Sequence, residues 1–367
     1  MTQTRIFNRL PNIAGVHFDG FEGFKIKSRE IVKESIEDFL KYCREEARGT
    51  AARIILGEWG EGKTEAYYRY IKPFAEDNGD YALFISASTL ANCYEDEKTR
   101  KLMDTSPLTP LKLLTALFCG IKKEAEDIYK TLIPSLDGFN DAEEYIEETL
   151  KNMLGNYKEK RQIFIFVDEF EELLLNKDTL KGIISGIKET INGRYGLIHE
   201  NGKYEGSVHF LISCTPDAYY KLQVHKDTSL IFGGLGRRVN VITLPEIRKK
   251  EGIEFLFALL NYSYNGMLPE PLPIENLGVL ALLLRISQGN LGVLTNLLTG
   301  VLNRARKDEH LEVLNFENML SFLESEQIFV FGGQTPCIEI ETYSKILKLL
   351  KDQKNKEIGK ENTKKRS

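Results

Sequence analysis

A chain of 367 residues with 42% hydrophobic and 28% charged content is long enough for about two domains, with a core that needs no disulfide or metal staple. Its net charge of −5 argues against a protein coated in basic residues, while leaving room for a local basic face. The five cysteines (Cys43, Cys93, Cys119, Cys214, Cys337) form no Cys-x-x-Cys pair, which excludes a zinc ribbon or a disulfide framework and predicts reduced thiols in a cytoplasmic protein. No secretion signal opens the sequence, and no apolar run reaches the ~18 residues of a membrane span.

Residues 1–27, with Gly15, Gly20 and Gly23 among Phe18, Phe21 and Phe24, predict an irregular arm. Ser28 is suited to cap a helix whose apolar face is Ile31, Ile36, Phe39 and Leu40, ending near Arg48-Gly49. The apolar run Ile54-Ile55-Leu56 then predicts a buried strand, and it leads directly into Gly57-Glu58-Trp59-Gly60-Glu61-Gly62-Lys63-Thr64-Glu65. This is the Walker A pattern. A loop that wraps an anionic triphosphate must turn successive backbone N–H groups inward, and glycine makes such turns at least cost. Residues 57–65 are therefore the predicted cradle for ATP: Lys63 reaches the β- and γ-phosphates, Thr64 holds Mg²⁺, and the following helix aims its positive end at the anion.

Tyr81–Ser86 predicts a second strand, with Ser86 and Ser88 expected to face the nucleotide. Residues 92–110 are charged and punctuated by proline, and predict a loop or insertion. A helix follows from Pro110 to Lys123, and another over 141–160, whose Glu143, Glu144, Glu147 and Glu148 predict a solvated face.

The second pillar is Ile163-Phe-Ile-Phe-Val-Asp168-Glu169-Phe170-Glu171-Glu172. Five apolar residues ending in paired acids predict a central parallel strand, covered on both faces. Asp168 is placed to bind Mg²⁺ through water, and Glu169 to polarise the attacking water. A helix over 178–191 and a turn-rich connector that could form a hairpin come next. A strand from Val208 then ends in Ser213-Cys214-Thr215. Ser213 and Thr215 fit either contact with the γ-phosphate and lytic water or an ordinary strand-end turn. Arg237 and Arg238 precede a last strand over 239–244, and fit either insertion into a neighbouring subunit's active site or surface ion pairs. Leu-rich helices over 249–264, 276–286, 291–306 and 315–324 predict a small bundle, and the chain finishes in a lysine-rich polar tail.

In this order, Lys63, Asp168-Glu169, Ser213 to Thr215, Arg237-Arg238 and a helical lid resemble the AAA+ ATPases. The Val167-Asp-Glu-Phe-Glu-Glu-Leu173 stretch resembles that of origin-recognition initiators and of prokaryotic defence-associated ATPases. The resemblance covers about residues 24–310 and implies an α/β P-loop core with a parallel sheet, divided as an arm over 1–27, a core over 28–245, a lid over 246–312 and an extension over 313–367. It makes Ile26 and Ile31 candidates to pack on the adenine, although plain core packing suits them equally.

The resemblance implies Mg-ATP hydrolysis by a homo- or hetero-oligomer, driving assembly or remodelling on DNA or a nucleoprotein complex, with no membrane role. The alternative is a signalling switch in a defence or regulatory complex, without nucleic acid. Three features depart from the family. The lid stretch Ser287-Gln-Gly-Asn-Leu-Gly292-Val293 has glycine where the family's sensing arginine stands, leaving Arg285 or Arg304 only as weak substitutes; the gap from Lys63 to Asp168 is long for a minimal core and implies inserted helices near 110–160; and the last fifty or so residues are too few for a complete winged-helix domain.

Overall fold

The computed structural model describes residues 26–47, 49–125, 127–155, 161–192, 198–199, 202–203, 207–224, 239–247, 249–264, 267–308 and 311–325. Nearly all of the expected N-terminal arm, the Arg237-Arg238 pair and the C-terminal tail lie outside these residues. Chain contacts separate two units: Arg29–Glu58 with Gly62–Pro245, and Met1–Ser28 with Trp59–Glu61 and Glu246–Ser367.

The larger unit is built on five strands, β1 (Ala52–Leu56), β2 (Tyr81–Ser86), β3 (Ile163–Asp168), β4 (Val208–Cys214) and β5 (Asn240–Thr243). They pair in parallel, in the order β2-β3-β4-β1-β5. A parallel sheet needs helices on both faces, which explains the unbroken apolar runs of its inner strands. Along β3 every residue is buried. Ile163, Ile165 and Val167 enter one core with the helices Thr109–Glu124, Ala142–Leu154 and Lys177–Ile191. Phe164 and Phe166 point the other way, into a core with the helix Lys27–Glu45 and the residues after the glycine loop. The result is a three-layer α/β sandwich. Because β4 lies between β1 and β3, the carboxyl ends of all three strands meet at one edge, where ligands of open α/β sheets bind.

Three local expectations are corrected. Ser28 is not a helix cap, since the helix already begins at Lys27. Residues 92–110 are largely helical, in Ala87–Glu95 and Glu97–Met103. Ser86 and Asp96 cap these two helices by accepting from the Thr89 and Thr99 N–H groups, and buried Leu90, Cys93, Leu102 and Met103 anchor them. After the glycine loop, the helix is interrupted by a π segment over Tyr67–Ile71, where the Tyr67 hydroxyl donates to Ala82 O at 2.9 Å.

The smaller unit contains the helices Lys249–Ser263, Leu277–Ile286, Leu291–Lys307 and Phe316–Ser325 around a leucine-rich core. Among the described residues no helix is long and apolar enough to cross a membrane.

Candidate active site

The carboxyl end of β1 runs into the glycine loop, which the Gly57 N–H ties to Cys214 O of β4 at 3.3 Å. Gly60 and Gly62 have φ of +80° and +86°, a backbone that a side chain would strain, so the glycines at these positions are a conformational requirement. Lys63 follows at the start of a helix and is only 6% exposed. Its ammonium donates to the loop carbonyls of Gly57 at 2.8 Å and Glu58 at 3.2 Å. The next side chain, Thr64, donates from its hydroxyl to Asp168 Oδ2 at 2.5 Å. Two residues 104 positions apart are thereby brought into contact, and both carry oxygens suited to a hard divalent cation.

Asp168 is buried at the tip of β3, and its second oxygen accepts from the Ser213 hydroxyl of β4. Glu169 then turns the chain with φ 54° and ψ 42°, a left-handed conformation rare for a residue with a side chain. Its N–H is held by Asp168 Oδ1 at 3.0 Å and Ser213 Oγ at 3.2 Å. Ser213 therefore grips both acids of the strand tip, a contact that neither residue's sequence position announces.

Burial, followed by the charges of Asp168, Glu172 and Glu171, pushes the Glu169 carboxyl above the usual glutamate range, with Lys63 pulling the other way. Burial also raises Glu171, against a hydrogen bond from its own backbone and the charge of Lys63. Glu171 is a neighbour of this strand tip that motif reading passed over. Its Oε2 accepts from the Thr215 N–H at 3.3 Å, while its Oε1 is buried without a partner. The only sequence sign was its place in the run of acids after β3.

The remaining candidates fall as follows. The Thr215 hydroxyl accepts from the Ala218 N–H at 3.3 Å and so caps the helix Pro216–Val224. Ser86 is engaged by Glu124, whose carboxylate takes both its N–H, at 2.9 Å, and its hydroxyl, at 2.6 Å. Ile31 is 66% exposed, whereas Ile26 packs on the leucine-rich core of the smaller unit. Trp59, Gly60 and Glu61, the tip of the glycine loop, group with that smaller unit. Arg237 and Arg238 lie outside the described residues.

Several solved structures are similar to this chain. The Aeropyrum pernix ORC2 protein, determined with ADPNP and ADP, matches over 83% of this chain and 69% of its own, with a TM-score of 0.50 and 14% identity. Cdc6p from Pyrobaculum aerophilum matches over 80% and 65%, with a TM-score of 0.47 and 15% identity. Domain III of the replication initiation protein DnaA of Thermotoga maritima matches over 82% and 92%, with a TM-score of 0.42 and 13% identity. No protein-family model and no curated protein matches the sequence. The chain therefore shares the fold of the Aeropyrum pernix ORC2 protein, a parallel α/β sheet with a helical region.

Proposed function

We propose that this protein binds Mg-ATP at the β1 loop and hydrolyses it, using the energy for assembly or remodelling on nucleic acid or a nucleoprotein complex. One observation carries the reading: the Thr64 hydroxyl rests on Asp168 at 2.5 Å, which joins the glycine loop to the acidic strand tip at one place. The donor set suits the ligands. Lys63 and the loop amides offer positive charge and N–H groups to phosphates, and Thr64 and Asp168 offer hard oxygens to Mg²⁺, which when bound neutralises phosphate charge. Glu169 is the general base or water-orienting group. A carboxyl held above its usual range accepts a proton more readily than an ordinary glutamate. Arg237 and Arg238 are proposed to act from a neighbouring subunit, and the working form is an oligomer.

The test is ATP turnover measured alone, with single- and double-stranded DNA and with RNA, alongside sizing with a slowly hydrolysed nucleotide. Turnover that Lys63→Ala abolishes, and that DNA stimulates in an assembled form, is the expected result. Flat turnover in a monomer would replace the nucleic-acid role with a signalling switch, and no affinity for Mg-ATP would end the reading altogether.

A further inference from the structure

The tip of the glycine loop is held by backbone-scale contacts with the start of the helix Leu291–Lys307, all within the smaller unit. The Asn290 side-chain amide donates to Trp59 O at 2.6 Å, and the Gly292 N–H donates to Gly60 O at 2.7 Å. The two strands of chain approach so closely that side chains are excluded. A Cβ on Gly292 would lie 2.6 Å from Gly60 Cα and 2.9 Å from Gly60 O, and one on Gly60 would lie 3.0 Å from Gly292 Cα. Asn290 is itself oriented, because its Oδ1 caps the helix by accepting from the Val293 N–H at 3.0 Å. Gln288 and Gly289, both at positive φ, turn the chain back into this cap.

In a planar trans peptide the carbonyl of one residue and the N–H of the next point in opposite directions. Holding Trp59 O and Gly60 O on the helix side therefore turns the Gly60 and Glu61 N–H groups away from that helix. We propose that Asn290 and Gly292 are positioning residues that set the peptide planes of the loop tip, so that the Gly60 and Glu61 amides are presented to phosphate before nucleotide arrives. The glycine at 292 thus has a use of its own: it lets the loop tip approach close enough for a main-chain hydrogen bond. The inference rests on the reading of the loop as an ATP site, and deepens it.

Two substitutions separate the clamp from the fold. Asn290→Asp keeps an oxygen to cap the helix but removes the amide donor. Gly292→Ala favours the helix by propensity, while its methyl forces the loop tip away. Trp59 is the single tryptophan of the chain, so its fluorescence reports on the loop tip without any nucleotide. Acrylamide quenching of Trp59 and affinity for Mg-ATP are measured on the parent and both variants, with thermal midpoints as the check on folding. The expected result is stronger quenching in both variants, with affinity weakened about tenfold, the effect of one ordinary hydrogen bond, at unchanged midpoints. Equal affinity in parent and variants would overturn the proposal whatever the quenching shows. If the parent binds no nucleotide, the ATP reading falls by itself, and unchanged quenching in the variants would overturn the clamp as well.

Discussion

Glu169 allows a test of whether the proposed catalytic glutamate is held at the expense of stability. Its φ of 54° and ψ of 42° place a side-chain-bearing residue in the left-handed region, at a cost of roughly 1–2 kcal/mol. Glu169→Gln removes the charge and keeps this backbone penalty; Glu169→Gly removes both. Glycine normally lowers stability by about 0.5–1 kcal/mol, because the unfolded chain gains freedom. At an unstrained position the glycine variant should fall below the glutamine variant by that amount. With the strain relieved it should instead lie above it, by about 0.5–1 kcal/mol, so the two cases differ in sign.

Urea midpoints of nucleotide-free protein measure the difference, since bound ligand would add stability by mass action. Both variants should lose turnover while retaining Mg-ATP affinity. A glycine variant less stable than the glutamine variant would refute the strain. The charge contributes a separate, pH-dependent effect. The folded carboxyl is raised above its unfolded value, so its stabilisation is complete below the unfolded glutamate range and is lost as pH rises through the folded value. Glu169→Gln should therefore gain on the parent at neutral pH, and that gain should vanish in acid.

Ser213→Ala removes the hydroxyl that holds Asp168 and the Glu169 N–H, so turnover should fall at least tenfold with little change in nucleotide affinity, and stability should drop by about 1.5–3 kcal/mol, as for a hydrogen bond to a charged group. Steady-state kinetics and urea denaturation check the two parts. Gly186→Ala would place a Cβ 2.6 Å from Leu113 Cβ and 3.1 Å from Thr109 O, where the helices Lys177–Ile191 and Thr109–Glu124 pack. Despite alanine's higher helix propensity it should destabilise by about 1–3 kcal/mol, seen as a lower urea midpoint. Among the cysteines of the described residues, Cys119 should be alkylated first by iodoacetamide, as read by peptide mass spectrometry. A hydrogen bond from Cys93 holds its thiol below the usual range against the effect of burial, and it lines a cavity of ≈ 330 Å³, whereas burial drives Cys43 and Cys214 upward.

Local pattern made much of this protein legible from its sequence. The glycine loop could be read because a tight turn needs positive φ at fixed places, and Gly60 and Gly62 stand at φ of +80° and +86°. The inner strands could be read because burial on both faces demands unbroken apolar runs, and the helices of the smaller unit because a buried face repeats every 3.6 residues. Other features waited on tertiary structure, since they depend on which distant segments become neighbours. The helices over 87–103 are stabilised by caps and by packing on the helix Thr109–Glu124, which their charged sequence does not advertise. The position of β4 between β1 and β3 made Ser213 a partner of Asp168, although 45 residues separate them. The left-handed turn at Glu169 and the meeting of Gly60 with Gly292 likewise come from close approach between segments far apart in the chain. Sequence determined which chemical groups are present and which local shapes they favour; the sheet order and the packing of distant segments decided which of those groups face one another.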